Sequence, residues 1–355
     1  MRAKTLPRPK HAKRSRLSRG PRFGRPWAGL AFVVAFAWAL SGQGVGSAAG
    51  SGDWPSLQGG AAHPGAVPAP GLSPPLRVWW PAAGKPAPAG PLSAAVVGGG
   101  IAVANGQRKV VGFDPATGRQ LWSAPHARGA LTPPAIDPKA GEHGIVVFAD
   151  GAGGNGGLEA IDLSTRERIW RLALKAPVFG GPAIDGGRVF AGGQDGLVYA
   201  LDVLTGRVVW KVKTPGEADA APAVAGGTVF TVSEDPGTGE GRLFALNAAT
   251  GKRVWSFSWT YSPVDIGVAT TGVTVDGDRV YGGFGDALVR AFDANTGRVL
   301  WSTPVRDGFS PLTTPAVSGG SVFVADRRGD LYRLGATTGD RIWDFQFPAL
   351  AERGS

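Results

Sequence analysis

The chain has 355 residues, and 37 Lys and Arg against 27 Asp and Glu give it a formal charge of +10. Ten of the basic residues lie within residues 1–25 and the first acidic residue is Asp53, so the rest of the chain holds 27 basic and 27 acidic residues. A neutral body offers no basic face, which argues against a nucleic-acid partner. The absence of cysteine excludes a disulfide scaffold, a thiolate zinc site, a thiol nucleophile and a lipid-anchoring cysteine.

Residues 1–49 predict an export segment. The basic run precedes an uncharged apolar stretch at residues 27–40, which is shorter than the roughly 20 residues of a bilayer span. Ser47 and Ala49 then fit the small-residue pattern of a cleavage site. We therefore expect a signal peptide and an extracytoplasmic location, in the periplasm or at the cell surface. The alternative is an uncleaved anchor, which is the only contact with a membrane that we expect.

The remaining sequence repeats one phrase six times. Each copy ends at a tryptophan, and the intervals between these tryptophans are 48, 40, 45, 46 and 42 residues. A second phrase, Pro-Ala-Val-like and followed by Gly-Gly and a β-branched run, precedes several copies, so each period holds about four strand signals. Four strands in 40 to 45 residues predict the blade of a β-propeller. The copies are FDPATGRQLW, IDLSTRERIW, LDVLTGRVVW, LNAATGKRVW, FDANTGRVLW and LGATTGDRIW, ending at Trp122, Trp170, Trp210, Trp255, Trp301 and Trp343.

The repeated phrase has a mechanical explanation. An Asp or Asn side chain eight residues before the tryptophan accepts backbone N–H groups and closes a turn, and a following glycine tolerates positive φ. The tryptophan is then expected to be buried between neighbouring blades. The predicted structural positions are Asp114, Asp162, Asp202, Asn247 and Asp293 for the turn, Thr117 for its support, and Gly118, Gly206, Gly251, Gly297 and Gly339 for the positive φ.

This phrase, A-x-D-x-x-T-G-x-x-x-W in outline, resembles the repeat of the pyrroloquinoline-quinone-type (PQQ-like) propeller family. The resemblance covers residues 53–347, with residues 348–355 as a tail. It implies an all-β propeller of four-stranded blades. The family contains quinoprotein dehydrogenases and also BamB-like noncatalytic members, so the resemblance is specific for the fold and weak for the activity.

Three residues depart from the repeat, and the blade number stays open. Arg166 replaces the turn glycine of the second copy, while Gly335 and Arg333 replace Asp and Ala in the last copy. Residues 78–80 resemble another outer strand, 42 residues before Trp122. We expect six complete blades and a partial seventh from residues 53–80. Six closed blades, or an eight-blade ring completed by another chain, are the alternatives.

In a propeller, the loops after each outer strand and those between the second and third strands share one face near the channel mouth, where polar residues converge. The candidate binding residues in the first set of loops are Arg128, Phe179, Asp219, Tyr261, Asp265, Arg306 and Phe309. The second set of loops contributes Asp150, Asn155, Asp195, Asp235, Asp286, Arg327 and Arg328.

The function expected from these features is an exported, noncatalytic scaffold that binds a protein or a component of the cell envelope. No catalytic residue, cofactor or metal site is predicted. The alternative is a small PQQ-dependent dehydrogenase of alcohols or sugars, for which Asp219, Asp265, Arg128 and Arg306 are the residues of the right type for quinone and calcium. A further alternative is binding of cell-wall glycan through Trp54, Trp79, Trp259 and Tyr261.

Overall fold

A computed structural model of the protein describes residues 92–106, 108–126, 132–150, 156–261, 271–305, 313–326 and 329–346. Its elements are 24 β-strands. Within these ranges, the chain forms no apolar helix long enough to cross a membrane. The predicted leader, the tail and residues 53–80 of the partial seventh blade lie outside the described residues.

The strands form six four-stranded antiparallel sheets in chain order. Sheet 1 contains β1 to β4, sheet 2 contains β5 to β8, and so on to sheet 6 with β21 to β24. The first strands of successive sheets contact one another from β1 to β21, so the sheets radiate from a common centre as propeller blades do. This confirms the predicted all-β propeller of four-stranded blades.

The bounds of the strands are as follows: β1 Val96–Gly98, β2 Ile101–Asn105, β3 Lys109–Phe113, β4 Gln120–Pro125, β5 Ala135–Asp137, β6 Ile145–Asp150, β7 Gly157–Asp162, β8 Arg168–Ala173, β9 Ala183–Asp185, β10 Arg188–Gly192, β11 Leu197–Asp202, β12 Val208–Lys213, β13 Ala223–Ala225, β14 Thr228–Asp235, β15 Glu240–Asn247, β16 Arg253–Thr260, β17 Val273–Asp276, β18 Arg279–Gly283, β19 Leu288–Asp293, β20 Val299–Pro304, β21 Ala316–Ser318, β22 Ser321–Ala325, β23 Leu331–Gly335 and β24 Arg341–Phe345.

The repeated phrase forms the turn between the third and fourth strands of each sheet. In sheet 3, the N–H and the hydroxyl of Thr205 donate to Asp202 Oδ1 at 2.9 and 2.7 Å. Gly206 follows with φ 67°, and the strand pairing shifts register between Ala200 and Leu201, as at a β-bulge. In sheet 2, Arg166 adopts φ 65° although it is not glycine, because the turn requires the left-handed conformation there.

The tryptophans join each sheet to the next. In four successive seams, the indole Nε1 donates to a backbone carbonyl of the following sheet at 2.8 to 3.0 Å. The turn glycine of that sheet lies against the same indole, since a Cβ on Gly297 would stand 2.6 Å from Trp255. The donor and acceptor pairs are Trp170 with Val203, Trp210 with Ala248, Trp255 with Ala294, and Trp301 with Ala336.

The seam between sheets 1 and 2 is built differently. Gly112 stands where sheets 2 to 5 have alanine, and a Cβ on it would lie 2.2 Å from Trp122 Cε2, so the indole rests on its own sheet. Within the described part of the chain, Trp122 Nε1 is buried without a hydrogen-bond partner. Arg166 replaces the glycine that would receive the indole on sheet 2. Trp122 thus packs into the core between sheets 1 and 2 without the indole hydrogen bond of the later seams.

Candidate functional site

The end of the sheets opposite the repeated turns carries the connections that vary between blades. We call this the loop end. Three of the predicted binding residues lie there on consecutive connections: Phe179 between β8 and β9, Asp219 between β12 and β13, and Tyr261 after β16. Arg128, Asp265, Arg306 and Phe309 lie outside the described residues.

The connections of Phe179 and Asp219 are tightly packed together. Gly180, next to Phe179, lies so close to the backbone of Ala220 that a Cβ on Gly180 would stand 2.2 Å from the carbonyl carbon of Ala220. The N–H of Gln194, in the turn after β10, donates to the carbonyl of Pro177 at 3.1 Å. The Phe179 side chain itself stays 46% exposed, so the loop end presents an aromatic ring on a fixed backbone.

Asp219 is the most perturbed carboxyl group of the loop end. Gln194 Nε2 donates to its Oδ2 at 3.1 Å, whereas its Oδ1 is buried and has no hydrogen-bond partner in the described structure. Burial raises the pKa of Asp219 to about 6, the Gln194 hydrogen bond opposes that rise, and neighbouring Glu217 adds to it. The group therefore titrates close to neutral pH instead of near 4.

A two-stranded bridge holds the acidic neighbours of Asp219. The N–H of Glu217 donates to the carbonyl of Glu234 at 2.8 Å, and the N–H of Glu234 donates back to the carbonyl of Glu217 at 3.0 Å. Ala218, between Glu217 and Asp219, donates to the carbonyl of Gly193 at 3.1 Å. These bonds fix the connection between β12 and β13 on both sides.

Tyr261 is the third predicted binding residue of the loop end. Its N–H donates to the carbonyl of Gly239 at 2.8 Å, and its ring lies over Gly285, where a Cβ would stand 3.1 Å from Cγ. Burial raises the pKa of Tyr261 to about 12, and the charges of Glu234, Asp235 and Glu217 add to the rise. Tyr261 is therefore a neutral hydrogen-bonding group beside an acidic surface. We call Glu217, Asp219, Glu234, Asp235 and Tyr261 the acidic cluster.

Other predicted loop residues serve the structure of the blades. Asp195 accepts the hydroxyl of Tyr199 at 2.8 Å. Asp286 accepts two bonds from Arg290, at 2.9 and 2.5 Å, and the guanidinium carbon of Arg290 lies 5.3 Å from the centre of the Phe257 ring. These carboxylates are already paired and are not available to a ligand.

Of the four glycan-binding candidates, the structure describes Trp259 and Tyr261. Trp259 is 5% exposed and packs against Phe284, with ring centres 4.5 Å apart, in the core between sheets 4 and 5. It therefore offers no ring face to a sugar. Trp54 and Trp79 lie outside the described residues.

Of the four side chains expected for a quinone with calcium, the structure describes only that of Asp219. Such a site needs several oxygen ligands around the ion and cations for the quinone carboxylates. In the described ranges, no three His, Asp or Glu side chains form a group that could hold a metal ion. Asp219 has a glutamine and a glutamate as neighbours, and the expected cationic partners, Arg128 and Arg306, lie outside the described residues.

The family of the chain follows from its sequence as a whole. A family model described as outer membrane protein assembly factor BamB matches residues 76–152, 154–310 and 285–353. The chain belongs to this PQQ-like, BamB-type repeat family. The predicted resemblance is thereby confirmed.

Individual relatives include both kinds of family member. The outer membrane protein assembly factor BamB of Nitrosomonas eutropha is 30% identical over 57% of this chain and 49% of its own length. The quinoprotein ethanol dehydrogenase of Pseudomonas aeruginosa is 33% identical over 29% of this chain and 19% of its own length. The chain thus spans only about a fifth to a half of the length of these curated relatives.

Solved structures agree on the fold. BamB from Moraxella catarrhalis superposes with a TM-score of 0.56 at 25% identity, covering 70% of this chain and 74% of that one. The quinohemoprotein alcohol dehydrogenase from Comamonas testosteroni gives 0.51 at 22% identity, covering 61% and 43%. The second likeness concerns the propeller fold alone.

Proposed function

We propose that this protein is an extracytoplasmic, noncatalytic propeller that acts as an interaction scaffold in assembly of the cell envelope. The observation that carries the proposal is the exposed ring of Phe179 on a fixed connection beside the acidic cluster. An exposed aromatic side chain next to polar groups is typical of a protein-binding surface, where aromatic residues supply most of the binding energy. The BamB relatives, which are named as assembly factors for outer membrane proteins, support a protein partner.

The negative charge of the acidic cluster favours a partner with basic residues. The carboxylates of Glu217, Glu234 and Asp235 act on Tyr261, and Glu217 also acts on Asp219. A partner segment with basic residues beside an apolar residue complements such a surface, because opposite charges guide the approach and the apolar contact slows dissociation. No cofactor takes part in this function.

Capture from the cell envelope tests the proposal. Purified protein is crosslinked to an envelope extract, and the wild type is compared with Phe179→Ala. The matched control is Val254→Ala, which removes a 54% exposed apolar side chain from sheet 4. We expect one envelope protein to be captured by the wild type and the control and to be lost with Phe179→Ala. Equal capture by all three variants, or capture of nothing, contradicts the proposal.

The second candidate is a quinone-dependent dehydrogenase, which the 33% identity to a quinoprotein ethanol dehydrogenase favours. Incubation with pyrroloquinoline quinone and calcium, followed by dye reduction with alcohols and sugars, distinguishes the two candidates. We expect no turnover, because the proposed role is that of a noncatalytic scaffold. Turnover that Asp219→Asn abolishes establishes the enzyme instead.

A further inference from the structure

Two arginines cross the seams between sheets at the end that carries the repeated turns, which we call the turn end. Each is the first residue of the second strand of its sheet. In sheet 3, Arg188 Nη1 donates to the carbonyl of Ala248 in sheet 4 at 2.6 Å. In sheet 5, Arg279 Nη1 donates to the carbonyls of Ala336 and Thr337 in sheet 6, each at 3.1 Å. Each of these seams therefore contains a guanidinium group of the chain itself.

Sheet 4, between these two sheets, has a shorter residue at the same position. Thr228 is the first residue of β14 and pairs with the turn residue Asn247, as Arg188 and Arg279 pair with the turn aspartates of their own sheets. A threonine side chain ends at its γ atoms, far short of the η nitrogens of arginine. Thr228 therefore supplies no guanidinium group to the seam between sheets 4 and 5.

A cavity of about 230 Å³ lies at this place in the seam between sheets 4 and 5. Its volume exceeds the roughly 30 Å³ of a water molecule several-fold, so a group of several heavy atoms fits. Thr228 and the buried ring of Phe230 line it from sheet 4. Exposed Gly226, Gly277 and Asn295 also line it, so the cavity opens to solvent at the turn end.

The wall that sheet 5 contributes has the acceptors that bind arginine in the next seam. Ala294 and Asn295 follow the turn residue of sheet 5 as Ala336 and Thr337 follow that of sheet 6. The carbonyl of Ala294 accepts the indole N–H of Trp255 at 2.8 Å, as the carbonyl of Ala336 accepts that of Trp301. Since a carbonyl oxygen has two lone pairs and that of Ala336 also accepts Arg279, the carbonyl of Ala294 can accept a second donor.

The surroundings of the cavity favour a cation with flat, weakly hydrated faces. Asp278 lines the cavity, and its carboxylate is 77% exposed although it lies 3.7 Å from Arg279 Nε. Asp276, two residues earlier, is also exposed. The ring of Phe230 adds an apolar wall. A guanidinium group is planar, weakly hydrated and stacks on aromatic rings, whereas an ammonium group is compact and strongly hydrated. The cavity therefore suits arginine better than lysine.

We propose that the cavity between sheets 4 and 5 binds the guanidinium group of an arginine side chain from a partner polypeptide. The group takes the place that Arg188 and Arg279 fill in the neighbouring seams and donates to the carbonyls of Ala294 and Asn295. Glycines at the rim leave room for the partner backbone to approach. The site lies at the end opposite Phe179, so its test is independent of the scaffold function proposed above.

Peptide titrations of the ¹⁵N-labelled full chain test the site. The probes are acetyl-Gly-Arg-Gly-amide, the matching lysine and citrulline peptides, and free arginine. Citrulline keeps the shape of arginine but replaces the charged guanidinium with a neutral urea group. NMR follows the backbone amides of Gly226, Ala294 and Asn295. We expect the arginine peptide to shift these amides and to bind at least ~10-fold more tightly than the other three probes, because charge-assisted hydrogen bonds are lost with them.

Filling the cavity from within the chain provides the matched variant. Thr228→Arg places a guanidinium where sheets 3 and 5 have one, and it should weaken binding of the arginine peptide at least ~10-fold. Thr228→Val leaves the cavity open, and Val254→Arg adds the same charge at a 54% exposed position of sheet 4, so both should bind as the wild type does. Thermal unfolding first compares all variants with the wild type. Asp278→Asn, which does not alter the cavity wall in size, should weaken binding about 2- to 5-fold.

Several results would overturn the proposal. Equal affinity for the arginine and citrulline peptides rules out recognition of a guanidinium group. No binding, shifts confined to amides away from the cavity, or undiminished binding by a folded Thr228→Arg variant rules out the site. Free arginine that binds as tightly as the peptide assigns the cavity to the amino acid and not to a polypeptide. If Thr228→Arg does not fold, undiminished binding by Asp278→Asn overturns the proposal instead.

Discussion

The pKa of an aspartate is shifted in opposite directions at the two ends of the same sheets. At the turn end, the hydroxyl of Thr205 holds the pKa of Asp202 below its usual value, and the N–H groups of Thr205 and Leu204 act in the same direction. At the loop end, burial raises the pKa of Asp219 to about 6. The turn end therefore stabilises the carboxylates that the repeat requires. The loop end retains a carboxyl group whose ionised form is disfavoured, as is common at functional sites.

The comparison separates stability from function. The repeated Asp and Thr close the turn within each sheet, and the tryptophans of sheets 2 to 5 bond to the following sheet. The residues of the loop end do not repeat, and they differ in exposure, charge and partner from one connection to the next. Mutations at the two ends are therefore expected to have different consequences.

The largest effect is expected for a seam tryptophan. Trp210 is 9% exposed and donates to the carbonyl of Ala248, so Trp210→Ala should cost about 3 to 5 kcal/mol of the free energy of unfolding. Trp343 of sheet 6 is only partly buried, so Trp343→Ala should cost roughly half as much, because less buried area is lost. Equilibrium denaturation with urea measures both values. Equal costs would mean that sheet 6 is sealed as completely as sheet 3.

A double-mutant cycle tests the first seam. Gly112→Ala should cost about 1 to 3 kcal/mol, because its Cβ collides with Trp122. Arg166→Gly should stabilise the protein by about 1 kcal/mol by relieving the left-handed arginine. In the double variant, the indole is free to move onto sheet 2 and donate to the carbonyl of Leu163, so most of the Gly112→Ala cost should disappear.

The control for that cycle is Arg166→Ala with Gly112→Ala. Alanine keeps a Cβ at the position where the later sheets have the glycine against the indole, so this pair should show no rescue. Coupling energies from urea denaturation distinguish the two cycles. Additive costs in both cycles would show that Gly112 and Arg166 are independent departures from the repeat.

A smaller effect is expected for the turn aspartate. Asp202→Ala removes the acceptor for the N–H and hydroxyl of Thr205 and should cost about 1 kcal/mol. Asp202→Asn keeps an oxygen acceptor and should cost less, since Asn247 forms the same turn in sheet 4 with the N–H of Thr250 at 3.0 Å. Thermal unfolding compares the two variants. A cost for Asn equal to that for Ala would assign the stabilisation to charge instead of hydrogen bonding.

The fold was predictable from the sequence because it depends on a repeated local mechanism. The turn Asp, the glycine four residues before Trp210 and the tryptophan itself recur at fixed intervals, and each has a physical role that the residue type reveals. The close approach of Trp122 to Gly112 was not predictable in this way. Arg166 is visible as a departure, but the approach of Trp122 to Gly112 depends on packing between sheets.

The candidate site was only partly predictable. Phe179, Asp219 and Tyr261 follow from counting loops, because connections after successive outer strands lie at one end of a propeller. The bridge between Glu217 and Glu234 was not predictable, because it depends on β14 extending to Asp235, three residues beyond the second strands of the neighbouring sheets 3 and 5. Gln194 was missed, since an uncharged loop residue gives no signal before its contact with Asp219 is seen.

The smallest effect expected concerns pH. In the folded protein the pKa of Asp219 lies near 6, above its ordinary value of 3.8, so the folded state binds this proton more tightly than the unfolded state does. The stability contributed by protonated Asp219 is therefore lost as the pH rises from about 4 to about 6, and the buried charge destabilises the protein above that range. Asp219→Asn should raise the melting temperature slightly at pH 8 and leave it unchanged at pH 3.5. Asp202→Asn is the control, because the pKa of Asp202 is lowered and its carboxylate stabilises the fold only above that pKa. A gain from Asp219→Asn that is the same at both pH values would show that the ionisation of Asp219 is not what distinguishes the loop end.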